Sequence, residues 1–177
     1  EYIFPACVGD IRSLHTLKLV PEKLEARWAA LLRQVGITGQ EELKAFCETM
    51  KMSNTLSRDI VALSAMLAGT LPHTGYSLRK AVSEVGLVLF NDAFMISKAT
   101  CVSGIKFKAV RQLLDDIMLN QQCIRMTDLA VNGTELIQEG YSSGKALGDL
   151  LDALFICVLQ KPELNRRDIL LEFAHQI

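Results

Sequence analysis

The chain has 177 residues, half of them hydrophobic and 22% charged, with a net charge of −1 at neutral pH. A chain of this size can bury roughly 70% of its unfolded surface without staples, its composition excludes a disordered or fibrous class, and its near-neutrality excludes a bulk field for nucleic acid or membrane. No apolar run reaches the roughly 20 residues of a membrane span; no secretory leader is visible, and the opening Glu1-Tyr2-Ile3-Phe4-Pro5, without an initiator Met, points to a fragment of a longer protein.

Residues 21–35 read as a first helix. Pro21 suits its first turn, Leu24, Trp28, Leu31, Leu32 and Val35 recur at helical spacing, and Gly36 closes it. Thr38 is placed to cap a second helix with Glu41 and Glu42 in its first turn and Leu43, Phe46, Cys47 and Met50 inward. Ser53 or Asn54 caps a third, whose apolar face is Leu56, Ile60, Val61, Leu63 and Leu67; Gly69 and Pro72 stop it. After a loop at 73–76, residues 77–85 form a fourth helix, 87–98 a fifth and 105–119 a sixth, the last with Phe107, Val110, Leu113, Leu114 and Ile117 inward.

The next stretch, Asp128-Leu129-Ala130-Val131-Asn132-Gly133, reads as a short apolar segment and a tight turn. Asn132 and Gly133 are structural turn residues, since both tolerate positive φ. Thr134 then caps a short helix ending at Gly140. Residues 145–159 form a long helix, Pro162 breaks it, and Asn165 caps a last one over 166–175. Period-two alternation is absent, so no strands are expected. The fold class is all-α: an irregular helical body of about six helices over 1–119, then a small helical tail over 120–177. The body carries 14 cations and 12 acids, the tail 5 and 8, so the tail is acidic.

Catalytic chemistry finds little support. The five cysteines, Cys7, Cys47, Cys101, Cys123 and Cys157, include no CxxC pair and read as buried hydrophobes of a reducing cytosol. His15, His73 and His175 are too scattered for a metal site. Glu41-Glu42 and Asp115-Asp116 do not share a helix face and read as solvated surface. No phosphate loop or dinucleotide fingerprint occurs. Binding chemistry has two candidates. Between Ala93 and Leu114 the only charges are Lys98, Lys106, Lys108 and Arg111, and Arg125 follows; such cations could meet phosphates. Ser142-Ser143-Gly144-Lys145 runs a glycine turn into a helix start, where free N–H groups accept an anion.

From Arg125 to Gly133, and through Glu135-Leu136-Ile137 and Gly140, the sequence resembles the start of the tail of bacterial class II CCA-adding enzymes. These are tRNA nucleotidyltransferases of the poly(A) polymerase family. Where that family has a Gly-x-x-Pro-Gly-Pro-x-x-Gly-like turn, this chain has residues 140–148 with three glycines and neither proline. Leu164-Asn165-Arg166-Arg167 is similar to the family's closing pattern, and Phe46 with Met50-Lys51-Met52-Ser53-Asn54 to a segment of its body. Arg33-Gln34 stand where some relatives carry a His-Asp metal pair, which argues against a phosphohydrolase site there.

The catalytic head's Gly-Ser and D-x-D motifs and the neck's E-D-x-x-R motif do not occur. The resemblance therefore implies the body and tail of a cytoplasmic tRNA nucleotidyltransferase, not itself catalytic. These parts hold the tRNA acceptor stem and elbow through the backbone. It implies Mg2+ and CTP or ATP for the absent head only, and no cofactor, metal or membrane partner for this chain; a homodimer of the parent stays open. The RNA-binding residues it favours are Lys98, Lys106, Lys108, Arg111, Arg125, Ser143, Gly144 and Lys145. The alternative is a helical protein–protein interaction module without an RNA role.

Overall fold

The structure, a computed structural model, describes residues 11–100 and 107–176, with backbone alone for 11–14. After a 3-10 segment Ile11–Leu19 come helices α1 (Leu24–Gln34), α2 (Gln40–Thr49), α3 (Asn54–Ala68), α4 (Gly75–Val85), α5 (Leu87–Thr100) and α6 (Phe107–Leu119). A 3-10 turn Met126–Asp128 leads to α7 (Gly133–Gln138) and α8 (Lys145–Gln160), and a second, Pro162–Leu164, to α9 (Arg167–Ala174). Among the described residues there is no strand, as the missing period-two pattern implies. No helix there is long and apolar enough to cross a membrane.

The caps explain where the sequence reading slips by a residue or two. Gly39, not Thr38, precedes α2, and its N–H donates to the Glu42 carboxylate at 3.3 Å. Ser53 caps α3 as expected, its hydroxyl accepting the Leu56 N–H at 3.3 Å. Helix α4 starts at Gly75 because Thr74 and Ser77 bond reciprocally: the Ser77 N–H donates to the Thr74 hydroxyl at 3.2 Å and the Thr74 N–H to the Ser77 hydroxyl at 3.1 Å. The Asn-Gly turn is corrected as well. Asn132 has φ −128 and is itself the cap of α7, Gly133 is already helical, and Thr134 lies inside the helix. The Asn132 side chain accepts the Glu135 N–H, and Glu135 accepts the Asn132 N–H, both at 3.0 Å. This reciprocal pair satisfies two donors that a helix start leaves open.

The helices group into two compact units. One combines Glu1–Pro72 with Val85–Phe107, and the other His73–Glu84 with Lys108–Ile177. In the first, Ala26, Ala29 and Ala30 of α1 are fully buried against Leu63 and Leu67 of α3 and Ala93 and Ile96 of α5. Small side chains let the helix backbones approach closely. A second cluster sets Leu32 against Leu43, Phe46, Cys47 and Ile60, with Trp28 tilted on Phe46 at 5.4 Å between ring centres. Arg33 and Gln34 each tie α1 to a neighbouring element. Arg33 donates to the Leu67 carbonyl at the end of α3, and Gln34 donates to the Thr16 hydroxyl at 2.7 Å. Lys23 pairs with the buried Asp92 of α5 at 2.8 Å.

The other unit is built on α8. Its Leu150, Leu154 and Val158 pack with Cys123, Val131, Leu136, Leu170 and Ala174. Its C-terminal end is closed from α4. Arg79, 7% exposed, donates from Nε to the Leu159 carbonyl at 2.8 Å, from Nη2 to the Gln160 carbonyl at 3.4 Å and from Nη1 to the Gln122 side chain at 2.8 Å. Burial lowers the basicity of that guanidinium and the charge of Glu163 partly restores it. Gly75 makes room for it, since a Cβ there would meet Arg79 Nη1 at 3.0 Å. Cys47 and Cys123 are buried free thiols and Cys157 is half-buried, while Cys7 and Cys101 lie outside the described residues.

Candidate nucleic-acid interface

The candidate cations fall on several elements. Lys98 is exposed in the last turn of α5, and Lys106 lies outside the described residues. Lys108 and Arg111 sit one turn apart on the exposed side of α6, whose other side buries Val110, Leu114 and Ile117. Arg111 is partly neutralised by Asp115 at 3.0 Å, an exposed i,i+4 pair of the kind that contributes little to stability. No side-chain hydrogen bond or ion pair engages Lys98, Lys108 or Lys145 among the described residues.

Arg125 stands in a segment fixed at many points. Helix α6 ends on Gln121 at φ +48, a left-handed turn that lets the Gln122 N–H reach the Ile117 carbonyl at 3.0 Å. The Gln122 side chain meets Arg79, and Cys123 is buried next to it. Burial first, and the nearby Asp128 charge second, push the Cys123 thiol up to about 11. Asp128 folds back on the segment. Its Oδ2 accepts the backbone N–H of Arg125 at 3.0 Å and of Ile124 at 3.3 Å, and its carboxylate faces the Arg125 guanidinium at 3.2 Å. Burial works against the Asp128 charge, but Arg125 and the two backbone donors outweigh it and hold the carboxyl below the usual range.

Asn165 does not cap the last helix, whose N-terminal flank is Arg166. Its amide instead donates to the Asp128 carbonyl at 2.9 Å and accepts the Ala130 N–H at 2.8 Å. A side-chain amide carries both a donor and an acceptor, so one residue can tie an extended segment much as a neighbouring strand does. Ser143 is exposed, Gly144 precedes α8 at φ +133, which favours glycine, and Lys145 is the first helical residue. No side chain caps this end and no acid lies in its first turn. Of the predicted residues, the structure brings Lys108 together with Arg111, and Ser143 with Gly144 and Lys145.

The family model described as tRNA nucleotidyltransferase domain 2 (putative) matches residues 20–174. The chain belongs to this family. The family resemblance read from Arg125–Gly140, Leu164–Arg167 and Phe46 with Met50–Asn54 is thereby borne out. Among solved structures the chain is similar to a CCA-adding enzyme from Bacillus stearothermophilus, determined in complex with CTP, with a TM-score of 0.67 and 20% identity. That likeness covers 88% of this chain and 39% of the Bacillus chain, and at this identity it speaks for the shared fold. No curated protein matches the chain.

Three residues that matter to the geometry were not singled out as such from the sequence. Arg79 reads as an ordinary helix cation, and only tertiary packing reveals its burial. Asn165 looks like a cap because Asn precedes many helices. The Asp128 contact had a local signal: a carboxylate three residues after Arg125 is the spacing of a capping box.

Proposed function

We propose that this chain is the tRNA-holding helical part of a nucleotidyltransferase that builds or repairs the tRNA 3′ end in the cytoplasm. It grips the acceptor stem and elbow by the sugar-phosphate backbone. Nucleotide transfer, with its Mg2+ and CTP or ATP, belongs to a catalytic head that is not in this sequence. The family match over residues 20–174 carries this reading. Supporting it are the exposed cations Lys98, Lys108 and Lys145, free of acidic partners among the described residues, and the uncapped start of α8 beside Lys145.

The test is filter binding of tRNA at several salt concentrations. The chain is expected to bind tRNA at low salt, with affinity falling linearly against log salt as phosphates displace counterions. Lys145→Glu is expected to weaken binding about tenfold and to lower the salt slope by about one. A chain that holds tRNA no better than a neutral polymer overturns the reading. One observation favours the helical interaction module in that case: a groove lined by Leu17, Leu24, Trp28 and Leu31 together with Lys18 and Arg27, with Leu24 65% exposed.

A further inference from the structure

We propose that Asp128 is a positioning residue that aims the Arg125 guanidinium at a phosphate of the bound RNA. This rests on the tRNA-binding reading above. The carboxylate meets one edge of the guanidinium, with Oδ2 accepting from Nε at 3.4 Å and Oδ1 facing Nη2 at 3.2 Å. A guanidinium has five N–H donors in one rigid plane, and a single carboxylate engages two of them. The remaining edge, through Nη1, is free to meet two oxygens of a phosphate side by side. Arg125 is 75% exposed and Asp128 only 25%, so the pair has a sunken acceptor and an outward donor.

The support behind that acceptor is continuous. Asp128 Oδ2 also holds the N–H groups of Ile124 and Arg125, Asn165 holds the Asp128 carbonyl and the Ala130 N–H, and Arg79 holds Gln122. An arginine fixed before binding loses less freedom when it meets its target.

Asp128 has two opposed effects on an RNA ligand. Its charge offsets that of Arg125, which weakens attraction to phosphate, and its geometry orients Arg125, which strengthens it. Asp128→Asn separates them, because it adds one net positive charge while keeping an oxygen for the backbone N–H groups. If positioning dominates, binding weakens despite the added charge. If neutralisation dominates, binding tightens.

The experiment measures tRNA affinity at low salt for the full chain, for Arg125→Ala, for Asp128→Asn and for the double variant. The expected result is a loss of about tenfold for Arg125→Ala, about threefold for Asp128→Asn, and no further loss in the double variant. Asp128→Asn that binds equally or more tightly overturns the proposal, as does an unchanged Arg125→Ala. A double variant clearly weaker than Arg125→Ala also overturns it, because the aspartate would then act through the loop rather than through Arg125. If the unaltered chain fails to bind tRNA, the functional reading falls with it; if that chain binds and only the variant pattern fails, the functional reading stands.

Discussion

Arg33 reaches from α1 to a carbonyl at the end of α3, and Arg79 reaches from α4 to two carbonyls at the end of α8. Each closes acceptors that a helix leaves open at its C-terminal end. Arg33 is exposed, so water replaces it at small cost, whereas Arg79 is buried and its loss strands polar groups away from water. The surroundings differ in the same sense. The unit of α1, α3 and α5 gains cohesion from small residues that let backbones approach, with one buried carboxylate among the described residues, Asp92. The unit of α4 and α6–α9 relies on side chains that bind backbone across long sequence separations: Arg79, Asn165 and Asp128. One kind of architecture fails by overpacking, the other by losing a donor.

The sharpest way to break this contrast is to remove both arginines separately. Arg79→Ala is expected to destabilise its unit by about 3 kcal/mol, and Arg33→Ala by no more than about 1 kcal/mol. Trp28, the only tryptophan, reports urea unfolding of the first unit, and amide exchange in α8 reports the other. Equal costs would remove the distinction. Next in size, Asn165→Ala is expected to cost about 2 kcal/mol by orphaning the Asp128 carbonyl and the Ala130 N–H. Ala29→Leu is expected to cost about 2 kcal/mol by overpacking α1. Exchange protection should fall around 128–130 for the first and across α1 and α3 for the second.

The units should also differ in their response to pH. The folded Asp128 carboxyl is depressed, so its contribution is present above the unfolded value, about 4, and is lost as pH falls through the folded one. Cys123 is raised to about 11, so its neutral thiol supports folding below the unfolded value, about 8.5, and that support fades as pH rises towards 11. Stability of the α8 unit, followed by amide exchange, should therefore decline on both sides, and Asp128→Asn should flatten the acid side alone. The smallest effects are expected at the left-handed residues Lys51 and Gln121, one in each unit. Replacing either with glycine should raise stability by about 0.5 kcal/mol, seen as a small upward shift in the urea midpoint.

The helices were legible because their signals are local. Apolar residues recur at helical spacing, and caps such as Ser53 and stops such as Gly69 mark the ends. Where local signals compete, the reading slips. Asn132 and Gly133 look like a positive-φ turn, yet the Asn132–Glu135 reciprocal bonds make the pair a helix start. The cations of the candidate interface that pair do so locally, at spacings the sequence carries, while the long-range pairing leaves no such mark. Arg111 and Arg125 meet acids on the same element or turn, whereas Arg79, a cation not singled out from the sequence, is buried by partners 43 to 81 residues away. Separations of that size leave no periodicity in the text.

Arg79 also bears on how the chain emerges from a ribosome. Its last acceptor, the Gln160 carbonyl, lies 81 residues downstream. At about 5–20 residues per second, Arg79 waits roughly 4–16 s before the last of its acceptors exists. All of the segment Val85–Phe107, which completes the other unit, is made in that interval. Helix α4 is thus a nascent element that exists before the α8 carbonyls that Arg79 meets in the folded chain.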